Sequence, residues 1–291
     1  MVISRLIRIK ILVQRQAGGA CSMAARVDRT HPVFSLESLR AACSTCGLVE
    51  LCLPLGLSAA EIGRIDAIVR RRRKVRKNEA LYHAGAVCRA LYAVRVGFFK
   101  TRDPESSGSC RVFGFHMAGE LLGLDGIAGG SHTCEAVALE DSEVCEVSFE
   151  DLEVLSRELP ALQKRFHQIL SREIQRDHQI MRLLTCKTAE QRLAVFLLDL
   201  SERYHSRGYS PSSFHLRMSR EEIGSYLGLQ LETVSRLFSS FRKRGLIEVD
   251  RRHLTLIDFP ELQRIATDAD PAESDASGFF AESGSSPRSR I

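Results

Sequence analysis

The chain has 291 residues, of which 44% are hydrophobic and 26% charged, and a net charge of +5. That length and balance allow two folded units with ordinary soluble cores, and exclude a chain too polar to fold. The charge is too mild to demand a nucleic-acid partner, yet it permits one.

No apolar run reaches the roughly 20 residues of a membrane span, because Arg8 and Lys10 interrupt "LIRIKILV". The same charges disqualify that segment as a signal peptide, so a cytoplasmic protein with no membrane partner is expected. Nine cysteines in a reducing compartment argue against a disulfide framework and for a metal site or redox chemistry.

Residues 1–40 read as a flexible extension with weak periodicity, and Met23 is a candidate translation start. The stretch "ACSTCGLVELCLPLGL" then places Cys43, Cys46 and Cys52 at C-x2-C-x5-C spacing. Such an irregular loop can fold around a metal centre. Ser58 and Glu61 form a capping box that opens a short helix with Ile62, Ile65, Ile68 and Val69 on one face. "RRRKVRK" reads as a solvated face or turn.

From Glu79 to Phe149 short β-type runs alternate with glycine turns at Gly85, Gly97, Gly119 and Gly129-Gly130, which implies a roll or sandwich. After Pro160 the pattern is helical to about Cys186. His167, Ile174 and Met181 share one seam position and Leu170, Asp177 and Leu184 the other, a candidate dimer seam. A second capping box, Thr188 to Gln191, starts a helix ending near Gly208, and the tail from Asp268 has a disordered composition.

Between them lies "SREEIGSYLGLQLETVSRLFSSFRKRGLIEVD". Ser219 and Glu222 cap a short helix that Gly228 ends, and a longer helix begins around Gln230, the layout of a helix-turn-helix. Val234, Leu237, Phe238 and Phe241 would pack inward, leaving Glu232, Ser235 and Arg236 on the outer face. Arg236 can donate to guanine O6 and N7, Glu232 can accept from cytosine N4, and Ser235 can bond a base or phosphate. Arg242, Lys243 and Arg244 suit phosphate contacts. "LIEVDRRHLTLI" reads as a hairpin wing with Arg251 and Arg252 at its tip.

These residues resemble the winged-helix motif of the cAMP receptor protein/FNR superfamily, and E-x-x-S-R at Glu232, Ser235 and Arg236 matches its FNR branch. The likeness extends through "FGFHMAGELLGLDGI" and "EVCEVSFEDL" and covers residues 41 to 260. Gln230 departs from it, standing where FNR-like proteins often carry a small hydroxyl residue. The resemblance implies an α+β fold with an N-terminal double-stranded β-helix (jelly-roll) sensor domain, 41–160 with the cysteine loop. A long dimerisation helix, 161–187, and a C-terminal winged helix-turn-helix, 188–267, follow, and 268–291 is a tail.

Members that bind cAMP hold the cyclic phosphate with Arg, then Ser or Thr, then Ala. The matching residues here are His132, Thr133 and Cys134, and no Arg or Lys occurs between Arg111 and Arg157. A buried phosphate without a cation is costly, so no cAMP binding is expected. FNR-like oxygen sensors share the C-x2-C-x5-C spacing and take a fourth ligand from the roll, which the resemblance assigns to Cys145. Four thiolates suit a 4Fe-4S cluster; zinc also accepts four, and a thiol switch stays open. Cys21, Cys88, Cys110, Cys134 and Cys186 have ordinary structural readings.

The implied protein is a homodimeric transcription regulator, not an enzyme. It would bind palindromic double-stranded DNA while its cluster is intact and act with RNA polymerase. The alternative is a cluster-free regulator answering a small ligand or thiol oxidation.

Overall fold

The computed structural model describes residues 43–48, 51–103 and 111–267. The expected extension, Met23, Cys21, Cys110 and the tail lie outside the described residues, as does the side chain of Cys186.

A short turn of helix at Cys43–Thr45 precedes α1 (Ala59–Ile68), whose start is the expected Ser58–Glu61 capping box. Most of the basic run is a strand with a solvated face, and the run ends in a turn at Lys77. That strand, β1 (Val69–Val75), is tolerated because its outward arginines meet acids on the neighbouring strand, Arg71 with Glu146 at 2.9 Å and Arg72 with Glu143 at 3.7 Å.

The roll is completed by β2 (Ala80–Tyr82), β3 (Ala90–Val96), β4 (Phe98–Arg102), β5 (Val112–Met117), β6 (Leu121–Leu122), β7 (Glu135–Ala138) and β8 (Ser142–Ser148). One antiparallel sheet runs β1-β8-β3-β6 and the other β2-β7-β4-β5. Between them Val75, Leu81, Val94, Phe99, Ala136 and Val144 form a buried core, as face-to-face sheets require. Gly97 has φ +100°, and a Cβ there would meet the Ser142 side chain, so the β3–β4 turn needs glycine.

Helix α2 (Phe149–Glu158), not anticipated from the sequence, starts at the Ser148 cap and separates β8 from α3 (Pro160–Cys186). Helix α4 (Ala189–His205) opens with the Thr188–Gln191 capping box. Strand β9 (Ser213–His215) leads to α5 (Arg220–Leu227), which the Ser219–Glu222 box starts and Gly228, at φ 64°, ends. Then come α6 (Leu231–Lys243), β10 (Ile247–Asp250), β11 (His253–Leu256) and α7 (Phe259–Thr267). The wing is a three-stranded sheet, β10-β11-β9, one strand more than a hairpin. No helix among the described residues is long and apolar enough to cross a membrane.

Candidate metal centre and nucleic-acid interface

Consecutive tight turns shape the cysteine loop. Cys46 donates its N–H to the Cys43 carbonyl at 3.1 Å, Leu51 and Cys52 both donate to the Leu48 carbonyl at 3.0 Å, and the Cys43 N–H donates to Asp66 on α1. Cys145 reaches the same place from the middle of β8, paired with Arg72 on β1 and Ala93 on β3. Successive strand residues face opposite ways, so Val144 enters the roll core while Cys145 points outward toward α1 and the loop.

Cys43, Cys46, Cys52 and Cys145 thereby line one cavity, walled otherwise by Leu53, Pro54, Ile65, Val69 and Ala93 among other apolar groups, with Arg95 at its edge. Ala93, buried beside Cys145, leaves space that a larger side chain would fill. Among the described residues no three His, Cys, Asp or Glu side chains converge where a single ion would sit.

Burial pushes the Cys52 thiol up to about 12. Burial, then the hydrogen-bonded and negatively charged Asp66, pushes Cys43 up as well, and burial raises Cys145 against the pull of Arg72. Without a cation these three groups are therefore thiols, and a metal would have to displace their protons.

Other cysteines are built into structure. Cys134 is buried and donates toward Asp125 at 3.5 Å, and Cys88 donates to the Gly123 carbonyl at 3.6 Å. Asp125 also accepts from the backbone N–H of Thr133 at 2.8 Å and of Cys134 at 3.3 Å, while His132 stacks on Tyr82 with ring centroids 3.8 Å apart. These groups border a second cavity, between the roll and α3, whose charged lining is Asp125, Glu173, Arg176 and Asp177.

On α3, Ile174 and Met181 are 55% and 63% exposed, Asp177 is exposed, and Leu170 and Leu184 are half-buried. The stripe is left uncovered by this chain. The helix also carries groups that the sequence reading passed over. Arg165 is buried beneath the cysteine loop and donates to the carbonyls of Leu51 and Cys52. Its signal was an arginine three residues after Leu162, on the apolar face.

Glu120 at the β5–β6 turn is a second unforeseen group. It accepts from Arg203 at 2.9 Å and Arg207 at 2.6 Å, with Arg176 at 3.5 Å. Burial would raise its pKa, but Arg203, Arg176 and Arg207 together hold it down to about 2.

At the other end, Val234, Phe238 and Phe241 are buried and Leu237 half-buried, so Glu232, Ser235 and Arg236 stand exposed on one face of α6. Arg236 donates to Thr233 at 3.3 Å, within its own helix. Gln230 caps α6 without a side-chain hydrogen bond. Arg242, Lys243 and Arg251 are exposed, Arg251 at the wing tip with φ 54°. Arg244, expected at phosphate, is exposed and pairs with Glu190 and with Glu261 at 3.2 Å.

The roll touches the helix-turn-helix. Lys100 pairs with Glu222 at 2.7 Å, and the Val112 N–H donates to Ser225 at 2.9 Å. Glu232 lines a cleft with Lys100 and Arg102.

Residues 191–265 match the family model described as a Crp-like helix-turn-helix domain, and residues 72–158 that of a cyclic nucleotide-binding domain. The transcriptional regulatory protein btr of Bordetella pertussis is 48% identical over 223 residues, 77% of this chain and 92% of the relative. The transcriptional activator protein Anr of Pseudomonas protegens is 43% identical, covering 81% and 97%, and the fumarate and nitrate reduction regulatory protein of Escherichia coli 40% identical, covering 77% and 90%. The solved structure of FixK2 from Bradyrhizobium japonicum superposes with a TM-score of 0.63 at 29% identity, over 69% of this chain and 98% of that one.

Proposed function

The chain belongs to the cAMP receptor protein/FNR superfamily of DNA-binding transcription regulators, and on that premise we propose that it is an oxygen-responsive member holding a 4Fe-4S cluster. Cys43, Cys46, Cys52 and Cys145 would be the ligands. The observation that carries this reading is that a loop and a strand 93 residues apart in sequence, Cys52 and Cys145, deliver four thiols to one apolar-walled cavity. Four thiolates are the ligand set of such a cluster, and zinc, which also accepts four, is the other metal they could take.

When bound, the cluster supplies an iron–sulfur centre that oxygen can oxidise. The chain's own part is mechanical. Ligation would hold the Cys43–Cys52 loop against β8, and β8 continues through α2 into α3. The stripe of exposed Ile174 and Met181 and half-buried Leu170 and Leu184 is then the face for a second copy. Two copies of α6 place Glu232, Ser235 and Arg236 at half-sites of a palindrome one helical turn apart, with TTGAT as the expected half-site by resemblance. Arg242, Lys243 and Arg251 hold the phosphates. Relatives named as activators support a role in promoting transcription with RNA polymerase.

Cyclic nucleotide is not the signal in this reading. The Asp125 carboxylate already accepts the N–H groups of Thr133 and Cys134, and its burial is offset by those bonds and by His132, which lower its pKa. Three of the four charged residues lining that cavity are carboxylates, which repel a cyclic phosphate.

Purification without air followed by iron, sulfide and visible-absorption measurements tests the reading. The expected result is a chromophore that oxygen bleaches together with loss of DNA binding; protein without iron that still binds its DNA site would overturn it.

A further inference from the structure

Arg165 lies in the second turn of α3, on the side where Leu162, Phe166 and Ile169 pack into the core beneath the cysteine loop. Only 2% of it is exposed. Its Nε donates to the Cys52 carbonyl at 3.1 Å and its Nη2 to the Leu51 carbonyl at 2.9 Å. The third nitrogen, Nη1, is buried and has no hydrogen-bond partner among the described residues. The charged groups acting on this guanidinium are Arg172, which opposes its charge, and the Cys52 thiol, which favours it when ionised.

A buried cation is expensive unless an anion or a full set of acceptors compensates it. Two backbone carbonyls are a partial set, and Nη1 is left over. The missing anion has an evident source in the proposed site, because thiolates ligating an iron–sulfur cluster carry net negative charge beside this guanidinium.

We infer that Arg165 is the positioning residue that couples the occupied cysteine site to the long helix, holding the Cys52 turn against α3 and balancing the charge of the ligated thiolates. This rests on the cluster reading above. Its two carbonyl bonds use the planar fork that arginine has and lysine lacks. The coupling is short. Arg165 and Ile174 are nine residues apart on one helix, about 13 Å along its axis, so a shift of the Cys52 turn on ligation reaches the uncovered stripe through rigid backbone. Gln at this position would retain at most part of the fork and none of the charge; Lys would retain the charge without the fork.

The test uses the full chain purified without air, as wild type, Arg165→Lys and Arg165→Gln. Iron and sulfide per chain, decay of visible absorption on admitting oxygen, and mass by sedimentation are measured, with thermal melts by circular dichroism of the air-exposed proteins to verify folding. Arg165→Lys should hold iron as wild type does yet dimerise at least about tenfold more weakly, as expected for the loss of a charge-assisted hydrogen bond. Arg165→Gln should show the same weakened dimer and also lose its absorption several-fold faster in air. If one variant fails to fold, the other carries the comparison. Iron-loaded wild type beside folded variants with unchanged dimerisation and decay would overturn the role of Arg165 alone. Wild type purified without iron would overturn the cluster reading and the coupling together.

Discussion

The winged-helix half and the cysteine-bearing half are finished by different means. In the former, α4 and α5 each start with a complete capping box, and a continuous core runs through Leu197, Ile223, Val234, Phe241 and Leu254, all fully buried. Leu183 of α3 and Phe98 and Phe115 of the roll join the same core. In the latter, the described residues between Cys43 and Leu57 form a short turn of helix and turns, and Cys43, Cys46 and Cys52 stay partly exposed around a cavity. A reading head must be rigid before it meets DNA, whereas a sensor must have an arrangement that can be withdrawn. The first is built from apolar burial and the second around four cysteines that line one cavity.

The largest effect expected is confined to the sensor. Changing Cys43, Cys46, Cys52 or Cys145 to Ser should remove the cluster and with it tight DNA binding, whereas Cys88→Ser, outside that cavity, should leave iron content intact. A Cys145→Ser protein with a full complement of iron would take that residue out of the site.

The matching change in the reading head is Phe241→Ala, at a side chain with no exposure. It should cost about 3–5 kcal/mol of stability, read from urea unfolding, with iron per chain unaltered; a parallel loss of iron would show that the two halves do not stand apart.

Asp177 tests how the halves communicate. Two such carboxylates about 6 Å apart across a two-fold seam repel by roughly 2–3 kcal/mol at an effective dielectric near 20, or ~100-fold in a monomer–dimer constant. Asp177→Ala should therefore yield a dimer that binds DNA in air. A variant that stays monomeric without its cluster would place Asp177 at the solvent edge of the stripe.

Arg236→Ala should cost about 1–3 kcal/mol per half-site and relax preference at one base pair. Equal weakening on every DNA sequence would reassign the side chain to phosphate.

The smallest effect is a pH dependence at the junction. Glu120 ionises well below its ordinary value of 4.5, at about 2, so the stability it contributes is complete above that ordinary value and is lost as pH falls toward 2. By pH 4 the loss is on the order of 1 kcal/mol. Glu120→Gln should flatten this part of the stability profile, which acid titration of the thermal melt would detect.

Much of the reading head was legible because its signals are local. Ser219, Glu222 and Gly228 lie within ten residues and specify where α5 begins and ends. Helix α7 was missed although Leu262 and Ile265 are its buried face, since it follows a wing that looked like the end of the fold. Strand β1 was hidden by its own charges, which only their partners Glu143 and Glu146 on β8 explain. The three-cysteine spacing was visible, yet nothing near Cys145 says which face of β8 it occupies. That follows from pairing with Arg72 and Ala93, residues 73 and 52 positions earlier. Arg165 likewise makes sense only beside carbonyls more than 110 residues away.

Regulators of this architecture invite treatment as cassettes, with sensors and reading heads exchanged at the loop after the long helix. Here Glu120 is contributed by the roll, Arg203 by α4 and Arg207 by the turn that follows it. A graft of residues 188–267 onto a foreign sensor without an acid at that turn would leave Arg203 only Asp199, at 3.3 Å, and would take from Arg207, 6% exposed in its side chain, the carboxylate it pairs with here. Transplanting Glu120 together with its β5–β6 turn is the condition for such a chimaera to assemble.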